Sequence, residues 1–181
     1  DFGGDPNTFD VPKFSEDCLY LNLWRPKGIK KDLPVIVYIH GGSNKAGWSY
    51  EPNYLGHNIA RQDFILISIP YRLGIFGFFS HPEVESPNLA LFDQLIALEW
   101  IQKYVSFFGG DPSNITLIGE SAGAGGISHL IASPLSKNLF HKAIHQSGGS
   151  SFTYPTLRSQ AEALADQFSK SFEDPSIKNL R

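Results

Sequence analysis

Ser121 stands in the pentapeptide Gly119-Glu120-Ser121-Ala122-Gly123, directly after an apolar run at 115–118 and before a helical tract. A serine held on a sharp strand-to-helix turn can serve as a covalent nucleophile, because the turn lifts its hydroxyl above the sheet edge. Gly119 and Gly123 supply the absence of side chain that such a turn needs to close. The next amide, that of Ala122, would lie at a helix N-terminus, where unpaired N–H groups and the helix dipole favour a developing oxyanion. On this pentapeptide alone, a glycine-rich turn with an incidental serine is as good a reading as a nucleophile.

A second tract breaks that tie. The apolar run at 33–39 ends in His40-Gly41-Gly42-Ser43. An oxyanion hole on this architecture takes one N–H from the residue after the nucleophile and another from a loop following an earlier strand, and such loops read His-Gly-Gly. Both motifs in this order, each after a strand, point to acyl transfer. Ser121 is then the catalytic residue, and the N–H groups of Gly42, Ser43 and Ala122 form the oxyanion hole.

A triad also needs a base and an acid. The chain has six histidines. His40 belongs to the oxyanion loop, and His57 and His81 lie in polar or helical surroundings. His129 falls only two helical turns beyond Ser121, too early for the base. His141 and His145 have i, i+4 spacing, but no Glu or Cys companion motif makes them a metal pair, so neither a metal nor a cofactor is expected. Glu162, Asp166, Glu173 and Asp174 read as solvated charges near the C-terminal helix. Glu120 and Ser147 are weaker site candidates. Each has a plain alternative, a turn-stabilising acid and a strand-end serine.

The elements that must position these residues alternate between strand and helix, as in a mostly parallel, doubly wound α/β sheet. Residues 19–24 alternate like an early strand, and 34–39 and 64–69 are apolar runs of the kind buried on both faces. Ser86-Pro87-Asn88 opens a long helix carrying Leu91, Phe92, Leu95, Ile96, Leu98, Ile101 and Val105 at helical spacing. Gly109-Gly110-Asp111-Pro112 ends it, and strands follow at 115–118 and 143–145. Leu157, Ala161, Leu164, Ala165, Phe168 and Phe172 mark a final amphipathic helix. No linker or repeat interrupts the chain, so residues 1–181 read as part of one domain.

Composition excludes several function classes. The 181 residues are 41% hydrophobic, enough for a sizeable core, and carry a net charge of −3. That charge offers no attraction to nucleic acid or an anionic membrane. No apolar run approaches a membrane span, and the first residues carry no signal-peptide pattern. A dinucleotide site is suggested by Gly119, Gly123, Gly125 and Gly126, but Ser121 occupies the second glycine of the required spacing. Cys18 is the only cysteine.

The motifs together resemble the type B carboxylesterase family, which includes the cholinesterases, within the α/β-hydrolase fold. The blocks that carry the resemblance are Ser15 to Asn22, Pro34 to Gly42, Tyr71 to Phe78, Asn88 to Gln94, Phe108 to Pro112, Gly119 to Gly123 and Gln146-Ser147-Gly148. The resemblance implies a serine carboxylesterase acting on small carboxylic esters through an acyl-enzyme on Ser121. It also implies that the acid and the histidine lie beyond Arg181, so the rest of the polypeptide, with the C-terminal part of the catalytic domain, is required. Glu120 matches a carboxylate that shapes the site's field in relatives, and Ser147 a serine near their site. Cys18 matches a cysteine that is disulfide-bonded in secreted relatives and free in others, which leaves the compartment open. The loop departs from the family at Gly42-Ser43-Asn44, where the Ser43 side chain narrows the space beside the ester. The tract Thr8-Phe9-Asp10-Val11 lacks the choline-binding tryptophan of cholinesterases, so a general carboxylic ester is expected. The alternative is a non-catalytic cholinesterase-like adhesion or binding module, which typically loses the nucleophile.

Overall fold

β-Branched and leucine residues crowd the runs that form the central strands, and their burial follows strand periodicity. The computed structural model describes residues 15–28, 30–84, 86–148 and 156–172. β1 spans Asn22–Trp24, β2 Leu33–Ile39, β3 Ile65–Ile69, β4 Gly110–Glu120 and β5 Lys142–Gln146. They form one sheet in the order β1-β3-β2-β4-β5, with β1 antiparallel to β3 and the remaining pairs parallel. In β2, Leu33, Val35, Val37 and Ile39 are buried, while Pro34, Ile36 and Tyr38 face the other side half-covered. All five residues of β3 are buried, as expected of a strand covered on both faces.

The helices are α1 (His57–Ala60), α2 (Gly74–Phe78), α3 (Leu89–Tyr104), α4 (Ala122–Ala132) and α5 (Arg158–Ser169). Leu95, Leu98 and Ile101 of α3 join Ile127 and Leu130 of α4 and the inward residues of β2, β3 and β4 in one core cluster. Phe92 and Ile96, read from the sequence as part of the same apolar stripe, are exposed, at 39% and 63%. Their i, i+4 ridge lies away from the ridge of residues 94, 98 and 101, and one helix cannot turn both toward the same sheet. In their place Asp93 and Gln94 are buried.

Two strand limits differ from the sequence pattern for a physical reason. β1 begins at Asn22 rather than at 19, and Leu19 and Tyr20 are exposed. β4 begins at Gly110, yet its ladder with β2 jumps from Leu33↔Gly110 to Val35↔Ile115. The residues between are a bulge in which Asp111 Oδ1 accepts from Ser113 N–H at 2.8 Å and from Ser113 Oγ at 2.6 Å. The turn chemistry of Asp111-Pro112 thus survives inside the strand. The same irregularity accommodates Pro34 in a central strand, where it has no N–H to give to a ladder. Asn114, in the same tract, accepts a hydrogen bond from Lys142 Nζ at 2.7 Å.

The loop after β3 is fastened to α3 by a fork. Arg72 Nε and Nη2 donate to Asp93 Oδ2 and Oδ1 at 2.8 and 2.7 Å, and the Arg72 backbone N–H donates to Oδ2 at 3.0 Å. The Asp93 side chain is 2% exposed and that of Arg72 33%, so the pair sits at the edge of the core. Removing the carboxylate strands the guanidinium charge with its two donors and one backbone N–H. Asp93→Ala is expected to lower stability by about 2–3 kcal/mol in urea titration of the folded protein. A loss below about 0.5 kcal/mol would place this fork with ordinary surface pairs.

Candidate active site

The C-terminal ends of β2 and β4 lie side by side at the centre of the sheet, with Ile39 paired to Gly119. Chain direction diverges here, since β3 flanks β2 on one side and β4 on the other. A parallel α/β sheet opens its binding crevice at such a point. His40-Gly41-Gly42 leaves the end of β2, and Glu120-Ser121 leaves the end of β4.

Ser121 sits at φ 51°, ψ −117°, a conformation that L side chains rarely adopt. The strain, on the order of 1–3 kcal/mol, persists only where surrounding contacts over-determine it. Here the Ser121 N–H donates to Gln146 O at the end of β5 at 2.8 Å, and the Ser121 carbonyl accepts from Gly125 N–H at 3.0 Å to start α4. α4 then passes so close to β2 that a Cβ on Gly123 would fall 2.1 Å from the Ile39 carbonyl oxygen. Only glycine allows that approach.

The loop after β2 meets the same turn from the other side. A Cβ on Gly41 would lie 2.6 Å from Glu120 Oε2 and 3.2 Å from Ser121 Cβ, so backbone rests directly on the nucleophile turn. Gly42, Ser43 and Asn44 follow at φ 102°, 54° and 60°. The Gly42 carbonyl closes the turn by accepting from the N–H groups of Lys45 and Ala46 at 3.0 and 3.1 Å. The Asn44 carbonyl accepts from Gly74 N–H at 2.7 Å, which ties the loop to α2. The loop is thus closed by the N–H groups of Lys45 and Ala46, and Ala122 is the first residue of α4, where helix N–H groups have no intrahelical acceptor.

Ser121, Ala122, Ser43 and Ser147 line one cleft of about 1050 Å³, whose apolar walls include Ile75, Phe78, Leu164 and Phe168. The Glu120 carboxylate turns to the Gly41 side. The arrangement offers a hydroxyl at the cleft wall, a helix N-terminus and an apolar hollow, which suits a neutral acyl compound whose carbonyl oxygen gains charge.

His40 is buried, stacks on Tyr71 with ring centroids 4.5 Å apart, and has Nδ1 2.9 Å from the Gly41 carbonyl oxygen. Burial pushes its pKa below the usual imidazole range. Tyr71 donates from its hydroxyl to the His40 carbonyl at 2.8 Å, so His40 is a structural pillar of the loop. His81 departs from the sequence expectation: it is buried, stacks on Phe79 at 5.9 Å and accepts from Glu83 N–H at 3.2 Å. His57 packs edge-on to Trp24.

His129 lines the cleft, but at 1.5 Å rise per residue it stands roughly 12 Å along α4 from Ser121. His141 Nδ1 accepts from Ile115 N–H at 3.2 Å, and His145 Nε2 lies 3.3 Å from Ser128 Oγ. Each of the two thus has its own partner. Among the described residues no group of three or more His, Cys, Asp or Glu side chains could hold a metal ion. Glu162 and Asp166 pair with Arg158 and Lys170 along α5. Glu173 and Asp174, like the tract at 8–11, lie outside the described residues. Cys18 is a free, exposed thiol.

Sequence reasoning passed over one cluster beside the site. Tyr38, Tyr54 and Glu51 gather on the Glu120 side of the sheet, with the two phenol rings 4.5 Å apart. The outward position of Tyr38 in β2 was the one available signal, because an aromatic hydroxyl on a half-covered face needs a partner.

Gly123→Ala tests the close approach of α4 to β2. The added methyl would fall 2.1 Å from the Ile39 carbonyl oxygen and must push α4 off β2, so the variant should lose about 2 kcal/mol or more of stability in urea titration of the folded protein. Wild-type stability in the variant would show that the approach is not needed.

A family model described as "Carboxylesterase family" matches residues 2–176. The para-nitrobenzyl esterase of Bacillus subtilis (strain 168) is 48% identical over 145 residues, covering 78% of this chain and 30% of that protein. The liver carboxylesterase of Sus scrofa is 45% identical over 86% of this chain and 28% of its own length. The fumonisin B1 esterase of Sphingopyxis macrogoltabida is 43% identical over 82% and 29%. A solved structure titled as a thermophilic PNB esterase superposes with a TM-score of 0.83 at 41% identity, covering 91% of this chain and 35% of that one. The chain thus spans about 30% of the length of these curated relatives.

Proposed function

Given that this chain belongs to the carboxylesterase family, we propose that it carries the nucleophile and oxyanion hole of a serine esterase acting on carboxylic esters. In the reaction, Ser121 Oγ attacks the ester carbonyl while a base takes its proton. The carbonyl oxygen becomes an oxyanion held by the N–H groups of Gly42, Ser43 and Ala122. Collapse of the tetrahedral intermediate expels the alcohol, which recovers the proton, and leaves an acyl group on Ser121. Water, deprotonated by the same base, then attacks the acyl-enzyme and releases the carboxylate.

The observation that carries this reading is the φ of 51° at Ser121, at the N-terminus of α4 and against the Gly41 backbone. Strained serines of this kind cluster where function demands an exposed hydroxyl. Glu120 and Ser147 are proposed as supporting residues, the first through its charge beside the turn and the second as part of the cleft wall. Family relatives named para-nitrobenzyl esterase, liver carboxylesterase and fumonisin B1 esterase support ester hydrolysis and leave the choice of ester open.

A fluorophosphonate probe applied to the complete polypeptide should label the peptide containing Ser121. Ser121→Ala should lower kcat by about three to four orders of magnitude, as other triad deletions do. Labelling that persists in the variant would assign the nucleophile elsewhere, and a wild-type protein that neither labels nor turns over esters would be a binding module.

The base and acid are proposed to come from polypeptide outside residues 1–181. No described histidine stands within hydrogen-bond reach of Ser121 by the placements above, and a serine without its base is a weak nucleophile. Residues 1–181 expressed alone should therefore show no p-nitrophenyl ester turnover above background. Turnover abolished by Ser121→Ala would instead make one of the six histidines the base.

A further inference from the structure

One wall of the cleft carries a buried carboxamide that the reaction above does not use. Asn88, Leu91 and Gln94, spaced by three, form the wall at the start of α3, and Ser121, Gly125 and Gly126 belong to the wall from α4. Gln94 is 2% exposed. Its carboxamide lies against bare α4 backbone, since a Cβ on Gly126 would fall 2.9 Å from Oε1 and 3.2 Å from Nε2. A side chain at 126 would compete for the place that the amide occupies, so the glycine makes room for it.

Two buried side-chain polar atoms have no hydrogen-bond partner among the described residues, Ser68 Oγ and Gln94 Oε1. Of their two residues, only Gln94 lines the cleft. An unpaired buried acceptor lowers stability, so a glutamine kept in that state calls for a reason. Gln102, about two turns further along α3, shows what a structural glutamine does there: its Nε2 donates to the carbonyls of Pro112 and Leu139 at 2.8 and 3.2 Å. Gln94 Oε1 has no such tie among the described residues. The last torsion of a glutamine is broad, so the unpinned oxygen can turn to an arm lying in the cleft. In a largely apolar cleft, a single buried polar group is enough to discriminate between otherwise similar ligands.

We propose that Gln94 is a specificity-determining residue that selects esters carrying a hydroxyl on one arm, the hydroxyl donating to Oε1. The inference rests on the assignment of Ser121 as nucleophile. Gly126, beside the carboxamide, lies five residues past Ser121 on α4, roughly 7–8 Å at 1.5 Å per residue. The hydroxyl therefore belongs about that far from the ester carbonyl. An alkyl arm of the same length leaves Oε1 unpaired, and a buried polar group rejects an analogue that lacks its partner.

The test uses the complete polypeptide and two matched pairs of esters. In one pair the acyl arm ends in a hydroxyl or in a methyl of the same size; in the other pair the alcohol arm does. The end group stands roughly 7–8 Å from the carbonyl carbon in each. The readout for each pair is the ratio of kcat/KM for the hydroxyl ester to that for the methyl ester. Gln94→Leu should lower this ratio about tenfold in one of the two pairs. Gln94→Met, unbranched and of similar length, removes the amide while keeping the volume, and should lower the ratio to the same extent. It decides the matter should Gln94→Leu fail to fold. A ratio that falls less than about threefold in both pairs would overturn the proposal and leave Gln94 a residue of the core. Ser121→Ala measured on the same esters separates the two readings. Hydrolysis that survives there removes the esterase assignment itself, whereas its loss together with unmoved ratios in the Gln94 variants removes only the role of Gln94.

Discussion

The contact between α4 and the end of β2 governs the geometry of the whole site. A missing Cβ at Gly123 lets the first turn of a helix lie on the Ile39 and His40 carbonyls, closer than any other residue would allow. From that approach follow the positive φ of Ser121, the placement of its hydroxyl at the cleft, and the seat of Gly41 against the turn. The conformational cost at Ser121 is local, on the order of 1–3 kcal/mol, and the contacts that offset it come from β2 and β5. The Ser121 N–H bond to Gln146 holds the turn from the β5 side.

The two faces of the sheet divide the chemistry between them. On one, α3 and α4 cover Val35, Val37, Ile39, Ile115 and Leu117 and form the apolar core. On the other, Tyr38 and Glu120 stand half-covered beside Tyr54 and Glu51. Strand alternation enforces the division, since neighbouring residues point to opposite sides. The nucleophile turn ends β4, so it touches both environments. The cleft and helix N-terminus meet at this turn, and the carboxylate of Glu120 faces Gly41.

Outside the site, anchoring is polar where loops meet helices. The Arg72–Asp93 fork joins the end of β3 to α3, and the Asn44 carbonyl joins the oxyanion loop to α2. Such bonds have narrow geometry, so they limit how far the loop can drift relative to Ser121. β5, by contrast, is exposed along most of its length at the edge of the sheet. An edge of that kind presents unpaired backbone groups.

Local pattern in the amino-acid sequence determined a good deal here. The strand runs at 34–39 and 64–69, the long helix through Leu95 and Ile101, and the two glycine motifs around Ser121 and Gly42 are signals contained within a few turns of chain. Their residues occur where that reading put them. Tertiary structure alone decided the rest. Glycine-rich residues 123–126 are poor helix formers, and they hold α4 because packing under Ile39 and Gln94 rewards the missing side chains. The bulge in β4 depends on its pairing with β2, Asp93 is buried because Arg72 reaches it, and His81 is buried beside Phe79. The ring contact of Tyr54 with Tyr38 joins a turn to a strand. Periodicity reports which side of its own element a residue faces, but partners distant in sequence are chosen only when the sheet assembles, so these contacts leave no local trace.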